Sequence, residues 1–513
     1  MKEMGIQTRL YREKLMADPY RPGYHFAIPD GNGVPGDSNG AFFADGRYHL
    51  MYLYRNETTN AFHWGHMSSI DLLHWHHHPD CLTDENGDEG CFSGGAFVDD
   101  DGTAYLTFWK FASKDFATDN GGIDIAWSKP PYDKWERIRP IAINGSKERW
   151  GTVDMEIGGE IEHLCAADPS NIWKQNGVYY MQTGNLLVLN NFGREADSPE
   201  KYKGGWTDLF KSEDLRTWTY VHRFYVDPNR GVDDWPDETE DDMCPSFLPL
   251  ADKKSGGNLT DKWLQCFISH NKGAQYYIGE LKGETFYPEQ HGRFSWKDSA
   301  YFAPEALVDD KNRQISWSWL RDNMEGDYEK YGWTGTFSFP RLFWYEGGIL
   351  RMAPAEELDR LQINSQTFDV GALSGKQVLP VKNGESFRIR AEIDMKDANR
   401  AGFTVRTDDE NGQRVEIYVD RAEGKLVMDC ENSGKEGWPV REAAPFTLAD
   451  GEKLSLDIFV DKSIIEVYAN ERQSICRRAY PDHPEKALGV TAVSDGADFG
   501  VVNAWEMAAT NPY

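Results

Sequence analysis

Two aspartates in this sequence stand in settings suited to chemistry on a sugar. Asp37 lies in Gly36-Asp37-Ser38-Asn39-Gly40 and Asp168 in Ala167-Asp168-Pro169. Each directly precedes a run of aromatic and β-branched residues that reads as a strand. Cleaving a glycosidic bond takes one carboxylate to attack or stabilise the anomeric carbon and one acid to protonate the leaving oxygen, about 5 Å apart when configuration is retained. Taken singly, either segment is also an ordinary turn, because Asp, Asn, Gly and Pro are turn formers. Their weight depends on an architecture that brings them together.

Strand signals dominate the chain. DGRYHLMYLY, DGTAYLTFW, NGVYYMQTG, DKWLQCFIS and NRQISWSWL begin at residues 45, 101, 176, 261 and 312, each behind a turn signal. That irregular spacing fits four-stranded blades with variable loops better than a solenoid, although two β-sandwiches would also repeat strands. Ser69-Ile-Asp71-Leu-Leu-His-Trp75 and Ser212-Glu-Asp214-Leu-Arg-Thr-Trp218 echo each other behind two of the repeats. Five blades would let loops from separate blades converge on one funnel. Helix periodicity is confined to residues 9–16 and 354–361. From 385 to 510 the pattern becomes alternating strands joined by turns such as Glu410-Asn411-Gly412, which is a sandwich pattern without Asp-rich loops. The expected fold is all-β, with a five-bladed propeller over 1–355, a linker with a short helix over 356–375 and a β-sandwich over 376–513.

Composition agrees with two domains, since 513 residues exceed what one core of roughly 250–300 residues accommodates. The 18 tryptophans offer rings on which the apolar face of a sugar can stack. A net charge of −29 repels phosphate backbones and anionic membranes, so a small carbohydrate is expected as partner rather than nucleic acid or a membrane. The charged N-terminal stretch lacks the apolar core of a signal peptide, and no window offers about 18 uninterrupted apolar residues, which together imply a cytoplasmic protein. Seven scattered cysteines without a CxxC pair read as free thiols. His76, His77 and His78 alternate faces if they lie on a strand and then cannot share one ion, so no metal and no cofactor are expected.

The order of segments resembles glycoside hydrolase family 32, the invertases, inulinases and levanases. GDSNGAFFADGRYHLMYLYR, FHWGHMSSIDLLHWHHHPDCL, CFSGGAFVDDDGTAYLTF and AADPSNIWKQNGVYYMQTG follow one another as in its propeller. MCPSFLPL and YFAPEAL with RQISWSWLRD look like its fourth and fifth blades, and IFVDKSIIEVYANERQSICRRAYP is similar to its sandwich. The resemblance implies a retaining hydrolase of terminal fructofuranosyl residues, with Asp37 as nucleophile and Asp168 as transition-state stabiliser. It also implies a sugar pocket shaped by Trp64, Phe92 and Ser93; Asn39, Tyr301 and Trp333 complete the expected substrate contacts.

Four departures from the family pattern bear on mechanism. Gly36 replaces Asn, Ser38 replaces Pro, Ala167 replaces the Arg of Arg-Asp-Pro, and Met243 replaces the acid/base Glu of Glu-Cys-Pro. A thioether cannot donate a proton. Glu240-Asp241-Asp242 lies just before that position, and clustered carboxylates raise one another's pKa, so Asp242 is the first candidate for the acid and Glu305 the second. His163, His270, His291, Glu156 and Glu289 are candidates for the lost sugar contacts. Two other readings use the same residues: a hydrolase of another furanoside such as an arabinofuranoside, or a glycan-binding protein without catalysis.

Overall fold

The computed structural model describes residues 2–28, 35–85, 89–112, 121–146, 151–321 and 333–511. Five antiparallel sheets form a propeller, four of them of four sequential strands and the second with a fifth short strand, Ile143–Asn144, paired to its third. Blade I runs Pro35–Ala44, Arg47–Arg55, Phe62–Ser69 and His76–Leu82, and blade II runs Ala96–Val98, Ala104–Lys110, Gly122–Ser128 and Glu136–Arg137. Blade III comprises Trp173–Gln175, Val178–Gly184, Trp206–Ser212 and Thr219–Val226. Blade IV comprises Met243–Ala251, Leu259–Ser269, Gly273–Lys282 and Thr285–Arg293, and blade V comprises Tyr301–Val308, Gln314–Leu320, Arg341–Glu346 and Ile349–Pro354. A two-stranded hairpin, Thr152–Ile157 with Glu160–Cys165, stands between blades II and III.

The five aromatic runs of the sequence are the second strands of the five blades. They are conspicuous because a second strand is packed on both faces; that of blade V is buried at every position. The first strand of each blade precedes its run and is shorter or less regular. Asp37 accordingly lies within the first strand of blade I, in a stretch with shifted register, rather than in a turn ahead of the blade.

First strands line the axis, where those of blades I and V, IV and V, and I and II pack side by side. Their backbone groups face one another across blade seams, and buried polar side chains tie every seam. Asn39 Oδ1 accepts from Gly94 N at 3.2 Å between blades I and II. The Thr107 hydroxyl donates to the Ser170 carbonyl at 2.7 Å between II and III. The Asn171 side chain both donates to and accepts from the backbone of Phe247 between III and IV, at 3.0 and 2.8 Å. Glu305 closes the ring: Oε2 accepts from the Ser246 hydroxyl of blade IV at 3.0 Å and Oε1 from Ala41 N of blade I at 2.9 Å.

Glu356–Leu361 is a 3₁₀ turn, after which Gln362–Asp369 and Ala372–Val378 are strands of two six-stranded sheets. The stretch expected as a linker therefore belongs mostly to the sandwich; its exposed alternate residues hid a strand pattern that pairs at the sheet edges. The chain's start is helical over Lys2–Ala17, and the segment behind it reaches the sandwich, where His25 Nδ1 meets Asp461 Oδ2 at 3.0 Å. Arg477 joins Asp298 of the propeller to Glu442 of the sandwich. Among the described residues no helix is long and apolar enough to cross a membrane.

Burial pushes the Glu305 carboxyl from 4.5 up to about 8, only partly offset by its two donors. An acid whose folded pKa is raised keeps its proton in the fold while the unfolded chain has lost it, so stability falls as pH rises from about 4.5 to 8 and then levels. Glu305→Gln should remove that slope: its melting temperature should match wild type near pH 4.5 and exceed it by a few degrees at pH 8.5. Parallel melting curves across this range would show that Glu305 is not held neutral by the ring.

Candidate active site

Asp37, on the first strand of blade I, and Asp168, in the bend just ahead of the first strand of blade III, come together near the axis. Gly36 has φ 83° and Gly40 φ 54°, a conformation that glycine adopts without strain and that, at Gly36, asparagine also tolerates. A Cβ on Gly40 would stand 3.0 Å from Trp64 and Leu106, so glycine there lets the strand lie against the blade I–II core. Asp168 has φ 38°, and Cys244 and Ala303 at the corresponding places of blades IV and V have φ 47° and 45°. Left-handed non-glycine residues cost of order 1–3 kcal/mol each and are retained where the surroundings fix them. Here the strain turns the Asp168 and Cys244 side chains toward each other.

Both aspartates are nearly buried, at 4% and 3% exposure. Ser93 Oγ donates to Asp37 Oδ2 at 2.6 Å, and among the described residues Oδ1 carries no hydrogen bond. The Cys244 thiol donates to Asp168 Oδ2 at 3.2 Å, and burial holds that thiol well above its usual pKa, so it remains a donor. Asp168 Oδ1 and the indole Nε1 of Trp64 are buried without a partner. The unfilled Asp168 acceptor, beside Asp37, is placed to take a hydrogen bond from a hydroxyl group, whereas the Trp64 ring is enclosed in the core between blades I and II.

Burial raises the pKa of Asp37, opposed by the Ser93 hydroxyl and by the positive fields of Arg321 and His270. Burial likewise pushes Asp168 up to about 6, with the Asp37 charge adding to it and the Cys244 hydrogen bond opposing it. Arg321 follows the second strand of blade V, its guanidinium 4.3 Å over the Phe302 ring and 5.3 Å over Trp319. It supplies to Asp37 the kind of field that Ala167 no longer supplies beside Asp168. Nothing in the local sequence Trp319-Leu320-Arg321-Asp322 distinguishes this arginine from a surface one; only ring closure by blade V carries it to the site.

The acidic run divides in three directions, all of it buried rather than solvated. Glu240 forms a bidentate pair with Arg293 at 2.9 Å. Asp241 Oδ2 meets His270 Nδ1 at 2.8 Å. Asp242 points outward: its Oδ2 accepts from the Tyr225 hydroxyl on the outermost strand of blade III at 2.8 Å, and it packs against Asp227 beside Gly205. Burial, then the charge of Asp227, holds it well above the usual carboxylate range, so mutual repulsion within the run is the lesser cause. Asp242 therefore does not face the sugar pocket, a correction to the sequence reading. Glu305 stands four residues further along the axis than Asp37, roughly 10–13 Å at strand rise, with both oxygens engaged, so it too is not the acid. Met243 is buried against the end of blade III, where its sulfur accepts from Leu186 N at 3.3 Å.

Other expected contacts fall on both sides. Phe92 stacks on Phe111 and packs edge-on against Phe62 and Trp109 beside Ser93. Tyr301 and Trp333 do not contact Asp37 or Asp168. The Tyr301 hydroxyl pairs with Ser338 under the Arg341 guanidinium, and the Trp333 indole donates to Asp18 with Arg478 over its ring. Both rings fill the seam toward the sandwich, which sequence spacing did not reveal. His163 stacks on Phe192 and bonds Asp154; His291 bonds Gln275; Glu289 pairs with Lys262; and Glu156 lies exposed on the hairpin. His78 does meet other histidines across strands: His49, His66 and His78 gather their ring nitrogens within 4.8 Å. They bond one another and their neighbours, His49 Nδ1 to His66 Nε2 at 2.8 Å and His78 to Ser68 and Asp133.

A propeller that gathers two buried aspartates, one with an unfilled acceptor, at its axis is the frame of a glycosidase. The chain belongs to glycosyl hydrolase family 32, whose N-terminal domain matches residues 25–354 and whose C-terminal domain matches residues 356–506. It is 25% identical over 519 residues to a sucrose-6-phosphate hydrolase of Zymomonas mobilis, covering 97% of this chain and 94% of that protein. It is 26% identical to a levanase of Bacillus subtilis, covering 93% and 69%. Fructan 1-exohydrolase IIa from Cichorium intybus shares the fold with a TM-score of 0.77 at 19% identity, covering 96% of this chain and 98% of that one.

The displacement of Asp168 from 3.8 to about 6 corresponds to roughly 3 kcal/mol disfavouring the ionised form in the fold. That penalty is fully present above pH 6 and gone below about 4, because the folded acid is then protonated. Asp168→Asn should therefore raise the melting temperature at pH 7.5 by a few degrees, with the gain shrinking toward zero near pH 4. A variant less stable than wild type at pH 7.5 would contradict the burial account.

Proposed function

We propose that the protein hydrolyses terminal fructofuranosyl residues from small fructosides or fructo-oligosaccharides with retention of configuration. Asp37 acts as nucleophile and Asp168 as stabiliser of the oxocarbenium-like transition state. The observation that carries this reading is the axial pair itself: Asp37 with one oxygen oriented by Ser93 and the other free, beside Asp168 with one oxygen held by Cys244 and the other unpartnered. A nucleophile needs an oxygen unencumbered by hydrogen bonds. A stabiliser needs one that can grip a sugar hydroxyl as charge develops. The fructosyl part of the reading rests on relatives named sucrose-6-phosphate hydrolase, levanase and fructan 1-exohydrolase.

The Cys244 thiol, held protonated by burial, adds no negative charge beside Asp168. Arg321 and His270 supply the opposing positive fields. A cytoplasmic location is part of the proposal, supported by seven free thiols, six of them buried.

The test is release of sugar from sucrose, kestose, inulin, levan and aryl furanosides. Fructose should appear from a fructoside, and Asp37→Ala and Asp168→Ala should each lower kcat by at least roughly 10²-fold while the fold persists. Either variant retaining more than about a tenth of wild-type kcat, a barrier change under about 1.4 kcal/mol, would reject its assigned role. Release of arabinose alone would move the reading to another furanoside.

A further inference from the structure

We infer that His270, oriented by Asp241, donates the proton to the leaving oxygen in the place of the missing glutamate. The inference rests on the proposed fructosidase reading and names the residue that completes it. The pairing register leads to it directly. Met243 pairs with Ile268 across the first two strands of blade IV, so the antiparallel ladder extended by two residues sets Asp241 opposite His270. The contacts follow that register: the Ser269 hydroxyl donates to the Asp241 carbonyl at 2.7 Å, His270 N to Asp241 Oδ1 at 3.1 Å and His270 Nδ1 to Asp241 Oδ2 at 2.8 Å.

Asp241 is buried, with 1% of its side chain exposed, whereas the His270 side chain is 47% exposed. This is the arrangement of a fixed carboxylate behind a reachable imidazole. With Nδ1–H committed to Asp241, Nε2 is the nitrogen left to carry a proton into the funnel. His270 stands at the mouth, three residues beyond the Cys244 contact to Asp168, and its ring packs edge-on against Phe302 under the Arg321 guanidinium. The charged groups facing it are Asp241 on its own blade, Asp168 of blade III, Asp37 of blade I and Arg321 of blade V. The three carboxylates favour the imidazolium strongly enough to outweigh its partial burial, so it holds its proton to higher pH than a free histidine.

The step balances without any further reagent. As the bond from the anomeric carbon to the aglycone oxygen breaks, its electron pair goes to that oxygen, which takes the proton from His270 Nε2, and a carboxylate oxygen of Asp37 bonds to the carbon. In the second half, neutral His270 takes a proton from water as the water oxygen displaces Asp37.

A positioned acid matters for a poor leaving group and little for an activated one. His270→Gln should therefore lower turnover of sucrose or kestose by roughly 10²–10⁴-fold, leave the initial burst from an aryl fructofuranoside within a few-fold of wild type, and recover steady turnover with azide, giving a fructosyl azide. Asp241→Asn, retaining His270, should move the basic limb of kcat/KM to lower pH, since the imidazolium loses its carboxylate partner. A purely structural His270 would change all substrates alike and leave the limb in place. His270→Gln that is folded and cleaves sucrose like wild type overturns the assignment alone. Wild-type protein that releases no sugar from any fructoside overturns the parent reading, and this one with it.

Discussion

The cost of burying carboxylates along a propeller axis organises this molecule. Asp37, Asp168 and Glu305 all stand on or beside first strands at 3–4% exposure, and each is pushed toward its neutral form chiefly by loss of water. Their fates differ because their neighbours differ. Glu305 receives two neutral donors and no cation, stays protonated and serves as the tie that closes blade V onto blades I and IV. Asp37 and Asp168 lie near the mouth, where Ser93, Arg321 and His270 oppose the burial penalty on Asp37 and Cys244 and His270 oppose it on Asp168. One physical term thus separates the residue that holds the ring from the pair at the mouth.

Much of this was legible in the sequence. The five aromatic runs announced five blades because second strands are packed on both faces, and Asp37 and Asp168 announced themselves by sitting just ahead of two of those runs. The alternating strands after residue 385 announced the sandwich. What was not legible depended on directions that spacing does not encode. Asp242 is adjacent in sequence to the lost acid position, yet it lies just ahead of the first strand of blade IV and its carboxyl reaches outward to Tyr225 of blade III. Tyr301 and Trp333 are aromatic and close in sequence to catalytic segments, but their rings turn to the sandwich seam. His270 was one name among five; its partnership with Asp241 exists only across the ladder of blade IV.

The two replaced family residues, the arginine at Ala167 and the glutamate at Met243, are linked through the same site. Removing a cation beside Asp168 and a carboxylic acid above it subtracts one positive and one titratable group from the pocket. Arg321 and the Asp241–His270 pair restore one of each from blades V and IV. In place of the acid, Met243 turns its thioether into the core against the end of blade III, where its sulfur accepts from Leu186 N. Chemistry at a propeller axis tolerates this relocation because every blade delivers a loop to the same mouth.

Identifying the residue that becomes covalently attached to the sugar tests the account most directly. Wild-type protein and His270→Gln would each be mixed with an aryl fructofuranoside, quenched in acid during the burst, digested and analysed by mass spectrometry. The account predicts an increment of one fructosyl residue on the peptide bearing Asp37, accumulating further in His270→Gln because the second step then lacks its base. A label on any other residue, or turnover without any covalent adduct in either protein, would contradict it.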